Sequence, residues 1–306
     1  MFCGFIWSPV FDYHNEIINE LNNNYGINKL HKYHIYDFKK KKFMYEKSIL
    51  DIYTTDDIEI SKVKNIKIKN MTPYSNKYIF FSIKIDNPEF RIKEKTKTKI
   101  SKVVENIKKN IREKYKIKVN NYIHDIIIHI ADNFEQSNKI IKIMGKYKNF
   151  IKNTFMNTKV FLKYQFNKTI FTRYDMLVRK YSINEYLNNK DYDFALYKKM
   201  QFLRIKKNDC HLKFIELIDS LEKNGFDNNF PIEYEHSYLL RNGSHRVAHT
   251  YLKNNPFICI SPLLDYPSKS NKFCNYGFDW FKDKFTKDEL DIIMNEYDIF
   301  MKYINS

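Results

Sequence analysis

The sequence predicts a two-domain α+β protein, and three observations carry that prediction. At 306 residues the chain exceeds an ordinary single domain, while 43% hydrophobic content with only 6 Gly and 7 Pro supplies a sizeable core and few loops. Short apolar runs of strand length alternate with stretches whose apolar residues recur at helical spacing. A lysine- and asparagine-rich stretch, 145–159, interrupts the alternation and sets domains of 1–150 and 160–306.

In the first domain Phe2 to Trp7 reads as a buried strand. His14 to Tyr25 reads as a helix, with Ile17, Ile18 and Leu21 on one face and Gly26 as its stop. Leu30 to Phe38 is a second strand, and the basic run Lys39 to Lys42 a solvated loop. Residues 46–77 carry strand-like pieces around Ile58 and Ile66. Tyr78 to Ile85 is a strand that ends near Asn87-Pro88. Ile100, Val103, Val104, Ile107 and Ile111 predict a helix over Lys99 to Tyr115. Asp125 to Ile130 is a buried strand, and Glu135 to Met144 the helix after it. This order of elements has the rhythm of a ferredoxin-like sheet with helices.

The second domain opens with helical signals around 172–188 and 192–206. Phe214 to Asn224 is amphipathic, with Phe214, Leu217, Ile218 and Leu221 inward and Gly225 closing the helix. Pro231 to Tyr234 and Ser237 to Leu240 are short strands, Ser244 to Lys253 a helix, and Phe257 to Ser261 a strand. Thr286 and Glu289 form a capping box, and the helix that follows presents Leu290, Ile293, Tyr297 and Phe300.

The net charge of +17 suggests an anionic partner, yet only 7 of the 53 basic residues are Arg. Lysine spread over solvated faces says little about partners, and the Arg forks that read nucleic acid are scarce, so nucleic acid is not favoured. Cys3, Cys210, Cys259 and Cys274 lack the close spacing of a zinc or redox motif, so reduced thiols in an intracellular, cytoplasmic compartment are expected. Met1 to Trp7 is apolar but has no basic leader, so it does not read as a signal peptide, and no apolar run reaches the ~18 residues of a membrane span.

The densest chemistry lies in Asn242-Gly243-Ser244-His245-Arg246, a turn between a strand and a helix. Gly243 permits a sharp bend, the free N–H groups at a helix start favour an anion, and Ser244, His245 and Arg246 add donors. The plainer alternative is a helix cap with a surface ion pair. With the Gly225 helix end, Pro231-Ile232, Val247-Ala248 and Pro256-Phe257-Ile258 in order around it, the region 200–262 resembles the nucleotide-binding fold of ParB partition proteins, sulfiredoxin and the ParB-like free-serine kinases. The resemblance implies that this turn binds nucleotide phosphates. Arg241-Asn242 stand where those kinases carry an acid, so the nearest candidates for a base or metal partner are Glu233 and Glu235.

A second constellation is His129, Asp132 and Glu135 at the end of an apolar strand. A histidine there can act as nucleophile or base with a carboxylate to orient it, or can be a core histidine bonded to a carbonyl. With Arg112 upstream, the stretch 2–144 is similar to the nucleoside diphosphate kinases, whose active-site strand carries His-x-Ser-Asp-x-x-Glu. That resemblance implies catalytic roles for His129 and Asp132 and a phosphate role for Arg112. Trp7-Ser8 replaces the kinase loop lysine, and Ile130 the glycine after the histidine.

Arg173, Arg179 and Arg204 stand out against the lysine background, because a retained Arg is one that fork geometry requires. Arg204 lies just ahead of the ParB-like region and could reach the phosphate turn or serve a structural ion pair. The expectation is a nucleotide-dependent phosphotransferase that uses a nucleoside di- or triphosphate with Mg²⁺ on a small metabolite or sugar. The alternatives are a ParB-like nucleotide- or DNA-binding protein without turnover and a degenerate kinase-like scaffold.

Overall fold

Every residue of strand β1 (Phe2–Ile6) is buried in the computed structural model, as a continuous apolar run requires of a strand covered on both faces. The structure describes residues 1–23, 30–56, 58–94, 97–120, 122, 126–166, 172–206, 210–235, 238–262 and 276–305. The chain divides into two units, Met1–Phe155 and Met156–Ser306. It is of the mixed α/β class. No helix among the described residues is long and apolar enough to cross a membrane.

In the first unit β1 is followed by α1 (His14–Asn23) and β2 (Leu30–Asp37). Next come α2 (Lys42–Tyr53), the short α3 (Ile60–Lys62), a π-helical turn at Val63–Ile68 and α4 (Lys69–Met71). Strand β3 (Lys77–Ile83), the hairpin β4 (Phe90–Ile92) and β5 (Lys99–Ser101), helix α5 (Lys102–Tyr115), β6 (Ile128–Ile130), α6 (Phe134–Gly145) and β7 (Ile151–Asn157) complete it. The strands lie in the order β6-β1-β3-β2-β7. β1 runs antiparallel to both β3 and β6, and β2 antiparallel to β3.

Gly4 sits at the crossing point of this sheet, opposite Phe81 on one side and Ile130 on the other. A Cβ there would stand 2.5 Å from Cζ of Phe81 and 2.6 Å from the His129 carbonyl oxygen. Helix α5 starts where Ser101 Oγ accepts from the Val104 amide at 3.2 Å, and α6 where Asn133 Oδ1 accepts from the Gln136 amide at 2.9 Å.

Two expectations for this unit are corrected. Lys99–Ser101 is strand β5 paired with β4, because Ser101 takes the N-cap position and stops helix α5 from extending further back. The pieces around Ile58 and Ile66 are not strands: α2 buries Tyr45, Ser48, Ile49, Ile52 and Tyr53 at helical spacing, and Ile66 lies in the π-helical turn. That turn buries Val63 and Ile68, five residues apart, a period that matches neither α-helix nor strand. Gly26 and Asp125 lie outside the described residues. The lysine- and asparagine-rich stretch contains β7 and the start of α7 (Thr158–Gln165).

The second unit continues with α8 (Tyr174–Asn188), α9 (Ala195–Ile205), α10 (Cys210–Asn224), β8 (Ile232–Glu235), β9 (Leu239–Asn242), α11 (Ser244–Leu252), β10 (Phe257–Pro262), α12 (Phe278–Lys282) and α13 (Lys287–Asn305). β8 lies between β10, parallel to it, and β9, antiparallel to it. Helix α8 is buried around most of its circumference and packs on α9, α11 and α13. It therefore takes charged side chains into the core, and Lys180 meets Glu296 of α13 at 2.7 Å. Gln165 fastens α7 to β9: its Oε1 accepts from the Leu240 amide at 3.0 Å and its Nε2 donates to the Tyr238 carbonyl at 2.6 Å. Gly225 has φ +72°, the left-handed position that ends α10. Thr286 and Glu289 exchange the reciprocal bonds of a capping box before α13.

Gly4→Ala will destabilise the first unit by about 1–3 kcal/mol, the usual cost of overpacking a filled core. The check is the urea midpoint followed by a signal from that unit; an unchanged midpoint would show that Phe81 gives way freely.

Candidate functional site

The chain leaves β9 at Asn242 and enters α11 at Ser244 through Gly243 alone, whose φ is +93°. The glycine is required twice over. Its backbone is in the region L-residues avoid, and a Cβ would meet Ile232 Cδ1 at 2.5 Å. The apolar end of β8 thus pulls the turn tight against the sheet and fixes where the first residues of α11 point.

Ser244 and His245 are both drawn into contacts with buried groups. Ser244 Oγ accepts from Arg173 Nη2 at 2.9 Å. His245 Nε2 lies 2.8 Å from Tyr197 Oη, and its ring packs on Phe214 with centroids 4.4 Å apart. Arg246 turns the other way: its Nη1 donates to the Phe230 carbonyl, its Nη2 to the Pro231 carbonyl at 3.4 Å, and it lies over the Phe226 ring. Asn242 donates to Glu233 Oε2 at 3.0 Å, and Glu235 pairs with Arg241.

Behind Ser244 and His245 three arginines share one carboxylate. Asp175, at 0% exposure on α8, receives Arg173 Nε at 2.7 Å and Nη2 at 2.9 Å, a bidentate fork. Arg179, one turn along, donates from Nη1 to Asp175 Oδ2 and to its backbone carbonyl, both at 2.6 Å. Arg204 Nη1 stands 3.7 Å from the same Oδ2, and its guanidinium stacks on Tyr276 at 4.2 Å. Arg173 and Arg179 both pair closely with Asp175, and Arg179 and Arg204 have no other carboxylate in ion-pair range among the described residues. The Nε of Arg179 and of Arg204 are buried donors without a hydrogen-bond partner among the described residues.

The electrostatics follow. Burial alone would raise the Asp175 pKa, but Arg173, Arg179 and Arg204 outweigh it and hold the carboxyl far below its usual range. Burial and the neighbouring guanidiniums of Arg204 and Arg173 push Arg179 down to about 10 despite Asp175, so it stays charged at neutral pH. Burial, then Arg179 and Arg204, hold His245 well below its ordinary value, so it is neutral. Among the described residues the result is an excess of buried guanidinium over carboxylate beside a neutral imidazole and a hydroxyl. Such a cluster can hold an oxyanion.

The second constellation lies in the first unit. His129 on β6 is 7% exposed, edge-on to Tyr53, and its Nε2 has no hydrogen-bond partner among the described residues. Burial, then Lys108, Lys67 and Arg112, keep its pKa well below the ordinary value. The carboxylate in ion-pair range is Asp56, 4.0 Å from Nδ1. Asp132 is instead held by Lys108 Nζ at 2.5 Å, Arg112 Nη2 donates to the Ile128 carbonyl at 3.0 Å, and exposed Glu135 pairs with Lys139 at 2.7 Å.

The structure therefore brings Ser244, His245 and Arg204 together, with Arg173 and Arg179, and leaves Arg246, Glu233 and Glu235 on other partners. Reading by sequence missed Asp175, Tyr197 and Gln201. Asp175 had a signal, the i,i+4 spacing to Arg179 on a helix. Asp56 had none, because it follows the helix hidden in 46–77. His236 and Cys274 lie outside the described residues, while Cys3, Cys210 and Cys259 form no disulfide among the described residues.

His129 and His245 are neutral when folded and titrate near pH 6.5 when unfolded, so below that pH only the unfolded chain takes up their protons. Stability is complete above about pH 6.5 and falls on acidification by up to about 1.4 kcal/mol per pH unit for each. Urea titrations between pH 7 and pH 5 check this: His129→Asn and His245→Asn each flatten the slope by about one proton, and a slope unaltered by either contradicts it.

No protein-family model matches the chain, and no curated protein or solved structure is significantly similar to it.

Proposed function

We propose that the second unit binds the phosphates of a nucleoside di- or triphosphate and that the chain is a nucleotide-dependent phosphotransferase acting on a small metabolite or sugar. The observation that carries this reading is the surplus, among the described residues, of guanidinium over carboxylate behind Ser244 and His245. Charges taken out of water cost several kcal/mol each unless paired, and Arg179 and Arg204 share a carboxylate already engaged by Arg173. A phosphate supplies the missing negative charge and accepts Arg forks in their preferred geometry. The start of α11 adds its helix dipole.

The residues fit a phosphate group, since Arg179 Nε and Arg204 Nε are buried donors lacking acceptors among the described residues. Phosphoryl transfer needs mainly positioning and charge neutralisation. Arg179, Arg204, Ser244 and His245 do the positioning. Mg²⁺ would accompany the nucleotide, held by its phosphates and water with Glu233, the carboxylate bonded to Asn242 of the turn. Arg246 fixes the 230–231 carbonyls, and thereby the wall of the turn.

The strand order of the first unit supports a ferredoxin-like reading there. Numbered one to four in chain order, β1, β2, β3 and β6 lie across the sheet in the order fourth, first, third, second, each antiparallel to its neighbour. The fold of the second unit is read as ParB- or sulfiredoxin-like, on the sequence β8, β9, α11, β10 around the glycine turn. A second functional reading, nucleotide binding without turnover, is favoured by one observation: Glu233 and Glu235 are both engaged, by Asn242 and Arg241.

Thermal-shift and calorimetric titrations with ATP, ADP, CTP and GTP, each with Mg²⁺, test the reading. At least one nucleotide will stabilise the wild type, by about 2.7 kcal/mol at 100 times its Kd. Arg204→Gln will bind it about tenfold to hundredfold more weakly, the loss of one charged hydrogen bond. No shift with any of the four overturns it. Nucleoside diphosphate released on incubation with candidate acceptors, and lost in Glu233→Gln, separates transfer from binding alone.

A further inference from the structure

Four side chains in the second unit form a chain of hydrogen bonds whose direction is fixed by chemistry. Arg204 Nη1 lies 2.9 Å from Gln201 Oε1. A guanidinium can only donate, so the Gln201 oxygen must face it and the Gln201 amide NH₂ must face away. That Nε2 lies 2.8 Å from Tyr197 Oη and donates to it. The phenol has a single proton, and the next partner of its oxygen is His245 Nε2, at 2.8 Å. Tyr197 is fully buried and Gln201 is 5% exposed, so water does not compete for these positions.

A neutral imidazole carries one proton on two nitrogens. With Nε2 accepting from Tyr197, the proton sits on Nδ1. His245 is neutral beside Arg179 and Arg204, so the ring has no second proton. Nδ1 has no partner among the described residues, and the packing of the ring on Phe214 and Tyr197 holds its plane.

We propose that Gln201 and Tyr197 are positioning residues that lock His245 into its Nδ1–H tautomer, so that the turn offers a phosphate-bearing ligand a neutral N–H donor rather than a lone pair. The ligand half of this proposal rests on the phosphate reading above; the tautomer half stands alone. The relay starts at Arg204, a residue of the charge cluster, so one guanidinium sets both the field at the site and the polarity of its imidazole. A cation at His245 would add to an existing surplus of positive charge; a neutral donor adds a hydrogen bond without that cost. The opposite tautomer would aim a lone pair at an anion and repel it.

Two-dimensional ¹⁵N–¹H spectra of the full chain labelled at histidine, with His245 assigned by the signal lost in His245→Asn, read the tautomer directly. The wild type will show a protonated, pyrrole-type nitrogen at Nδ1 and a pyridine-type nitrogen at Nε2. Gln201→Glu is nearly isosteric and keeps an acceptor for Arg204, but it has no N–H to give. Tyr197 will then donate to the introduced carboxylate and accept from His245, and the two nitrogen signals will exchange character. Tyr197→Phe will abolish the preference. Gln201→Glu with an unchanged His245 tautomer, or a wild type protonated at Nε2, overturns the relay. Titration of the wild type with inorganic phosphate and with ATP tests the ligand half separately. A selective shift at Nδ1 supports it; the predicted tautomer with an Nδ1 signal that neither anion moves overturns the ligand half and leaves the relay standing.

Discussion

The carboxylate of Asp175 is the point on which the second unit's site depends. It lies at 0% exposure on a helix buried on nearly every face, where an isolated charge would cost several kcal/mol. It is tolerated because Arg173 grips it with two bonds and Arg179 with a third. The same arrangement brings the guanidiniums together at the start of α11, since Arg173 also reaches Ser244. Further contacts carry the cluster outward. Arg204 joins at longer range and, through Gln201 and Tyr197, fixes how His245 presents itself.

The backbone around the turn explains why this geometry is rigid. Ile232 occupies the space a side chain at position 243 would need, so only glycine closes β9 onto α11. Arg246 then clamps the segment before β8 by its carbonyls rather than pointing at the arginine cluster. The residue that most resembles a phosphate fork in sequence is thus a structural clamp, and the arginines gathered behind Ser244 and His245 precede it by 42 to 73 positions. In the first unit His129 is enclosed by Tyr53 and Phe5 and lies nearer to Asp56 than the sequence motif suggests.

How much of this was legible in the sequence varies with the range of the interaction. The strands β1, β2, β3 and β10 and the helices α1, α10, α11 and α13 were legible, because each carries its own apolar period and its own stop or cap. Helix α2 and the π-helical turn were not. The buried face of α2 includes Ser48 and two tyrosines, and the turn repeats every five residues. At the site, Gly243, Ser244 and His245 were legible as a local motif, and the rarity of Arg singled out Arg173, Arg179 and Arg204. Asp175 and the Tyr197–Gln201 link were not, since their roles exist only once α8, α9 and α11 have packed. The preference of His129 for Asp56 depends likewise on where the end of α2 comes to lie.

The central claim is that Arg204 is a charge in surplus, retained for an anion rather than for folding. The folding stability of Arg204→Met without any added anion tests it most directly. Methionine keeps the apolar bulk against Tyr276 and removes the charge. If the guanidinium is uncompensated, the variant is as stable as the wild type or more stable by up to about 1–4 kcal/mol, as when buried ions give way to apolar side chains. A loss of about 3–5 kcal/mol, the cost of breaking a buried ion pair, would show that Arg204 is part of the structural network and contradict the account.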